Sequence, residues 1–151
     1  MRQRPRGIAY ALTQLGTLGA QRFSERVGEL GLTAPEAGVL RLLVAQPGLS
    51  QRELATRLGS APSRVVVLVD SLELKGLVRR QRSATDRRNH ELQLTDDGTA
   101  MMASLGATAL AHEEDLVAPL SERERTQLAD LLDKLREAHG LDPLVHPGYR
   151  T

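Results

Sequence analysis

Apolar positions recur at intervals of three and four over most of this chain and give way to strict alternation in one short stretch. Ile8, Ala11, Leu12, Leu15, Leu18, Phe23, Val27 and Leu30 keep the helical spacing and Gly31 closes the run, which predicts a long amphipathic helix. Next, Thr33 stands as an N-cap with Pro35 in the first turn and Glu36 three residues after the cap, ahead of Val39, Leu40, Leu42 and Leu43. Pro47 and Gly48 end this second helix. Ser50 and Glu53 repeat the capping box before Leu54 and Leu58, so a short third helix is expected to stop near Gly59. A fourth follows, with Ser60 as cap, Pro62 in the first turn, Val65, Leu68, Val69 and Leu72 on one face, and Gly76 as the stop. The valines at 65–67 favour a strand by propensity, but cap, length and stop agree on a helix and outweigh it.

The alternation begins after Gly76. His90, Leu92 and Leu94 point one way while Glu91 and Gln93 point the other, which is a strand. The run 77–82 is its partner, and 83–89 joins the two as a hairpin loop longer than the tightest turns. Thr95 or Asp96 then starts a helix striped by Met101, Met102, Leu105, Ala109 and Leu116, which Pro119 breaks. Ser121 with Glu124 caps a last helix faced by Leu128, Leu131, Leu132 and Leu135. The tail 140–151 is rich in Pro and Gly and reads as loose.

At 151 residues and 40% hydrophobic content the chain suits one domain with a real core. Aromatics are 2%, so that core must be Leu, Val and Ala, which favours helices over a sheet-dominated fold. There is no cysteine, which excludes disulfides, thiolate metal sites and thiol redox sensing. The N-terminus is basic without an uninterrupted apolar core, and no stretch reaches the roughly 18 apolar residues a spanning helix needs. A soluble, cytoplasmic protein is expected, with no membrane partner.

Net charge is only +1, but its distribution is uneven. Residues 50–90 hold nine Lys and Arg against four Asp and Glu, a net of +5, whereas 91–137 hold four against eleven, a net of −7. Phosphate binding needs local positive charge, not a basic whole. The positive part coincides with two short capped helices joined by a tight turn, a helix-turn-helix whose second helix can lie in a major groove. The hairpin behind it supplies a wing, and arginines at its tip, Arg87 and Arg88, suit a narrow electronegative minor groove.

The stretches "LTAPEAGVLRLL", "GLSQRELATRLGSAPSRVVVLVDSLELKGLVRR" and above all "DRRNHELQLTDDG" resemble the MarR family of winged helix-turn-helix transcriptional regulators, over residues 32–98. The resemblance implies a mainly α (α+β) fold with a two-stranded wing. It implies a DNA-binding lobe at 32–98, and a dimerisation lobe at 7–31 and 95–139 whose helices intertwine across a two-fold axis. It also implies that Asp86 shapes the wing by pairing with an arginine and that Arg88, with Arg87 as the alternative, enters the minor groove. Family members often carry a basic or polar residue partway along the recognition helix, where this chain has Val66 and Val67. Base reading then falls to Arg64, to Ser63, and to the turn around Ser60 and Pro62, with Val67 against a thymine methyl. Arg52, Arg57, Arg80 and Arg82 are candidate phosphate contacts.

The expected partners are double-stranded DNA bearing an inverted repeat and a second copy of the chain, and the expected output is repression. In this family a small phenolic or anionic effector commonly binds between the lobes. Tyr10 and Phe23 are the only aromatics outside the tail, so a pocket built for stacking is not expected. Two rival readings stand against this one. An enzyme would need more than His112 and Asp115 at helical spacing, and no phosphate loop, nucleophile elbow or second metal-ligand pair accompanies them, so no cofactor or metal is expected. A winged helix that binds protein in place of DNA is the alternative, distinguished by a weak response to salt.

Overall fold

The computed structural model describes residues 7–150. The basic stretch 1–6 on which the N-terminal expectation partly rested, and residue 151, lie outside them. In chain order come α1 (Ile8–Glu29), α2 (Ala34–Ala45), α3 (Gln51–Leu58), α4 (Pro62–Leu74), β1 (Val78–Arg82), β2 (His90–Leu94), α5 (Asp96–Val117) and α6 (Glu122–Ala138). The architecture is mostly helical with one two-stranded antiparallel sheet, as predicted.

Local chemistry sets the helix starts. Three capping boxes form: Thr33 with Glu36, Ser50 with Glu53, and Ser121 with Glu124, each exchanging two hydrogen bonds between cap and third helical residue. Thr95 caps α5 by accepting from the Gly98 N–H at 3.0 Å, so the helix starts at Asp96. At α4 the expectation fails by one residue. The cap is Ala61, with no side-chain hydrogen bond, while Ser60 lies in the turn with its hydroxyl buried and without a partner among the described residues. Pro62 explains the shift, because the residue before a proline is held out of the helical region and Ala61 is extended at φ −60, ψ 139. Gly59, at φ +62, makes the left-handed turn between α3 and α4 that residues with a Cβ rarely adopt.

The core is centred on the winged lobe and takes in Val27 of α1 and Leu105 of α5. Val39, Leu40 and Leu42 of α2, Leu54 and Leu58 of α3, Val65, Val69 and Leu72 of α4, and Val78 and Leu92 of the sheet are all almost wholly buried. Register pairs Val78 with Leu94, Arg80 with Leu92 and Arg82 with His90. Leu92 also donates its N–H to the Leu49 carbonyl at 2.8 Å, which ties the entry to α3 onto the sheet. Among the described residues one charge is buried: the Glu36 carboxylate, 2% exposed, accepts from Lys75 Nζ at 2.7 Å and from the Ser71 hydroxyl, and so joins α2 to α4. Gly98 lets α5 approach the sheet, since a Cβ there would overlap the Leu77 carbonyl oxygen.

Outside this core, α1 meets α5 through the Arg26–Asp115 ion pair and the tilted rings of Phe23 and His112, 5.5 Å apart. These contacts account for His112 and Asp115 as packing and pairing groups. No residue of α6 is buried. Ile8, Leu12 and Leu15 of α1, Leu110 of α5, and Leu128, Leu131, Leu132 and Leu135 of α6 leave apolar surface uncovered in the single chain. The tail is not loose. It ends in a 3-10 turn, Pro147–Tyr149, and buries Val145 and Tyr149 in the core cluster.

Candidate nucleic-acid interface

Helix α4 has two faces because its apolar spacing is regular. Val65, Val69 and Leu72 are buried, which turns Pro62, Ser63, Val66 and Val67 outward. Val67 is 66% exposed, a large apolar side chain with no neighbour to cover it. Asp70 continues this edge and ends its neutral part. Arg64 lies half-buried at the flank of the helix and turns toward the interior between the lobes.

The wing tip holds its shape by short-range hydrogen bonds. The buried Ser83 hydroxyl accepts from the Thr85 and Asp86 N–H groups, and the Ser83 N–H donates to the Asn89 carbonyl at 2.9 Å. Asp86 accepts from the Arg88 N–H at 3.0 Å and from Asn89 Nδ2 at 3.1 Å. Asp86 thus meets an arginine, but at the backbone: the carboxylate reaches the N–H two residues on in an Asx-type turn, and it has no ion pair with a guanidinium among the described residues. Arg87 and Arg88 are left pointing into solvent.

The arginines separate into two groups. Arg80 is bound to Asp70 and Glu73 of α4 and donates to Gln51 of α3, and Asp70 heads the causes that raise its pKa despite burial. It braces the sheet against the helix-turn-helix. Arg57 pairs with Asp142 of the tail and donates to Gln46 at 3.2 Å, and this guanidinium holds the Asp142 carboxyl below the usual range. Both of these candidate phosphate contacts are ion-paired within the fold. Arg52, Arg82, Arg87 and Arg88 are exposed and have no side-chain ion pair among the described residues. Arg52 and Arg88 line a polar groove between the start of α3 and the wing, with Asn89 and His90.

A second concavity lies behind α4. About 420 Å³ of space is lined by Phe23 of α1, Met102 and Leu105 of α5, Arg41 of α2, Arg64 of α4, and His146 and Tyr149 of the tail. Tyr149, from the tail that reads as loose in the sequence, thus joins Phe23 as a second aromatic of this cavity. Burial pushes the Tyr149 phenol up to about 12, against the opposing pull of the Arg41 and Arg64 charges. No periodic signal marks Arg41, His146 or Tyr149, whose meeting is wholly tertiary.

Residues 30–89 match the MarR family. A putative transcriptional regulatory protein for the hcr operon of Thauera aromatica is 37% identical over 105 residues, 70% of this chain, which spans 63% of that relative's length. The HTH-type transcriptional repressor Rv2887 of Mycobacterium tuberculosis is 30% identical over 128 residues, covering 85% of this chain and 92% of the relative. Among solved structures, the transcriptional repressor CouR bound to a 23-mer DNA duplex superposes with a TM-score of 0.74 at 37% identity, over 85% of this chain and 92% of that one. Rv2887 in complex with DNA superposes at 0.76 with 28% identity, covering 87% and 98% of the two chains. Its complex with p-aminosalicylic acid does so at 0.71 with 29% identity, covering 86% and 98%.

Proposed function

The chain belongs to the MarR family of transcriptional regulators, not to a family of enzymes, and on that premise we propose that it is a homodimeric, sequence-specific repressor of the cytoplasm. Helix α4 enters the major groove of duplex DNA and the wing 83–89 the adjacent minor groove. One observation carries the reading: a neutral helix edge, Ser63, Val66 and Val67, is exposed on α4, and four exposed arginines of the same lobe, Arg52, Arg82, Arg87 and Arg88, have no side-chain ion pair among the described residues. Valine methyls meet thymine methyls, the Ser63 hydroxyl serves either base edge, and the arginines hold phosphates or the minor groove. In this reading Arg57 and Arg80 serve the fold before the duplex, because each is ion-paired internally, and Ser60 contributes through its turn, because its hydroxyl is buried.

The uncovered leucines of α1 and α6 are the natural seam between two copies, giving two recognition helices about one helical turn, roughly 34 Å, apart. The space behind α4 is the effector site. Its apolar walls and two guanidiniums suit a small anion with an apolar body, and p-aminosalicylic acid bound to Rv2887 is of that kind. Among the described residues no helix is long and apolar enough to cross a membrane. The test is selection of sites from a random duplex pool, with the mass in solution recorded in the same buffer. An inverted repeat bound by a dimer, with affinity falling steeply as salt rises, is the expected result. A dimer that enriches nothing and ignores salt would favour the protein-binding alternative.

A further inference from the structure

Beyond α6 the chain turns at Gly140, φ +60, and runs back across the winged lobe. Its anchors reach α2, α3 and the entry to α2. Asp142 pairs with Arg57 of α3 and accepts from its own Leu144 N–H at 2.8 Å. Arg41 Nη2 of α2 donates to the Leu144 carbonyl at 3.0 Å. Val145 is 6% and Tyr149 5% exposed, and the Tyr149 hydroxyl donates to the Pro35 carbonyl. The lobe is shaped to receive this segment: a Cβ at Gly38 would overlap the Tyr149 hydroxyl, and one at Gly59 would lie 3.0 Å from Arg150 Cγ. Gly59 is required by its turn in any case. Gly38 sits inside α2 where glycine disfavours the helix, so its value there is the room it leaves for the phenol.

We propose that residues 141–150 form a strap that closes the effector cavity and couples its occupancy to the recognition helix. The strap supplies one wall of the cavity, through Leu144, His146 and Tyr149, and Arg64 of α4 supplies another. It leaves the end of α6, in the dimerisation lobe, and is pinned to the helix-turn-helix, so it bridges the two bodies whose relative position sets the half-site spacing. Arg41 is the pivot. The guanidinium that holds the Leu144 carbonyl also faces the cavity, and a carboxylate is a stronger acceptor than a neutral carbonyl. An anionic ligand therefore takes Arg41 and loosens the strap. By reciprocity, a docked strap weakens that ligand's hold. This rests on the effector reading above and deepens it.

The test needs no ligand. Full-length wild type, Gly38→Ala and a chain stopped after residue 140 are compared as dimers for amide exchange and for affinity to the selected operator. Gly38→Ala improves α2 as a helix while expelling the phenol, and the shortened chain removes the strap together with the Val145 and Tyr149 side chains it buries against the lobe, so thermal melts of both variants accompany the comparison to show that the lobe stays folded. Expected are protected amides at Val145 and Tyr149 in the wild type and rapid exchange of both in Gly38→Ala. Operator affinity should fall at least fivefold in both variants, because the helix-turn-helix loses its tie to α6. Rapid exchange at both amides in the wild type would overturn the docking. Loss of protection in Gly38→Ala with operator affinity within twofold of wild type in both variants would reduce the strap to a passenger and overturn the coupling. If the wild type binds no duplex, the regulator reading fails and the coupling with it, while the docking is decided by exchange alone.

Discussion

Single side chains carry both the binding and the acid sensitivity of this lobe. Arg88 stands on a turn built from backbone and Asp86, so its removal leaves the turn intact. Arg88→Ala should keep the dimer folded and weaken operator binding by about 1–3 kcal/mol, read by titration of a labelled duplex; unchanged affinity would move the minor-groove role elsewhere. Glu36 is the buried counterpart. Burial raises its pKa, but hydrogen bonds from Lys75, Ser71 and the Thr33 N–H outweigh this and hold it below the ordinary 4.5. A carboxylate whose folded pKa is depressed contributes stability that is full above the unfolded value and lost as pH falls through the folded one. Melting temperature should therefore drop as pH is lowered below about 4.5. Glu36→Gln should lie lower at neutral pH, by about 1–3 kcal/mol, and show a flatter acid limb in thermal melts.

At the scale of elements, close approach is as decisive as propensity. Gly98 lies one turn into α5 against the Leu77 carbonyl, where Gly98→Ala would gain helix propensity and lose the docking of α5 on the sheet. The clash involves backbone, which cannot swing aside. A net loss of about 1–3 kcal/mol is expected in denaturant melts, and a neutral or stabilised variant would show that the helix can shift at little cost. The elements themselves were largely readable in advance because their signals are local: Thr33 with Glu36, Ser50 with Glu53, Ser121 with Glu124, and the alternation of 90–94. Ser60 was misplaced by one residue because the constraint of Pro62 acts backward on Ala61. The tail was misread for a different reason. Its partners are remote, with Tyr149 meeting Pro35 114 positions away and Asp142 meeting Arg57 85 away, and no pattern within a short window announces such a contact. The ion pair of Arg57 was illegible for the same reason, since its partner Asp142 lies in that tail.

The whole molecule is unfinished as one chain. Its core is centred on the winged lobe, with α1 and α5 adding Val27 and Leu105, and α6 lies with Leu131 61% exposed and no residue buried. Burying an aspartate against the partner's helices would cost more than the seam gains there. Leu131→Asp should give a monomer by light scattering while the winged lobe keeps its fold, and its operator affinity should collapse because two linked half-site contacts become independent. A variant that stays dimeric would place the seam elsewhere. The fit of Tyr149 against Gly38 has a historical consequence as well. Neither position can drift alone: a lineage that acquires any side chain at 38 loses the berth for the ring, and one that loses the ring frees 38 to become alanine. Substitutions at two sites 111 positions apart should therefore be inherited together, and an aromatic near the end of a descendant's chain would signal glycine in its second helix.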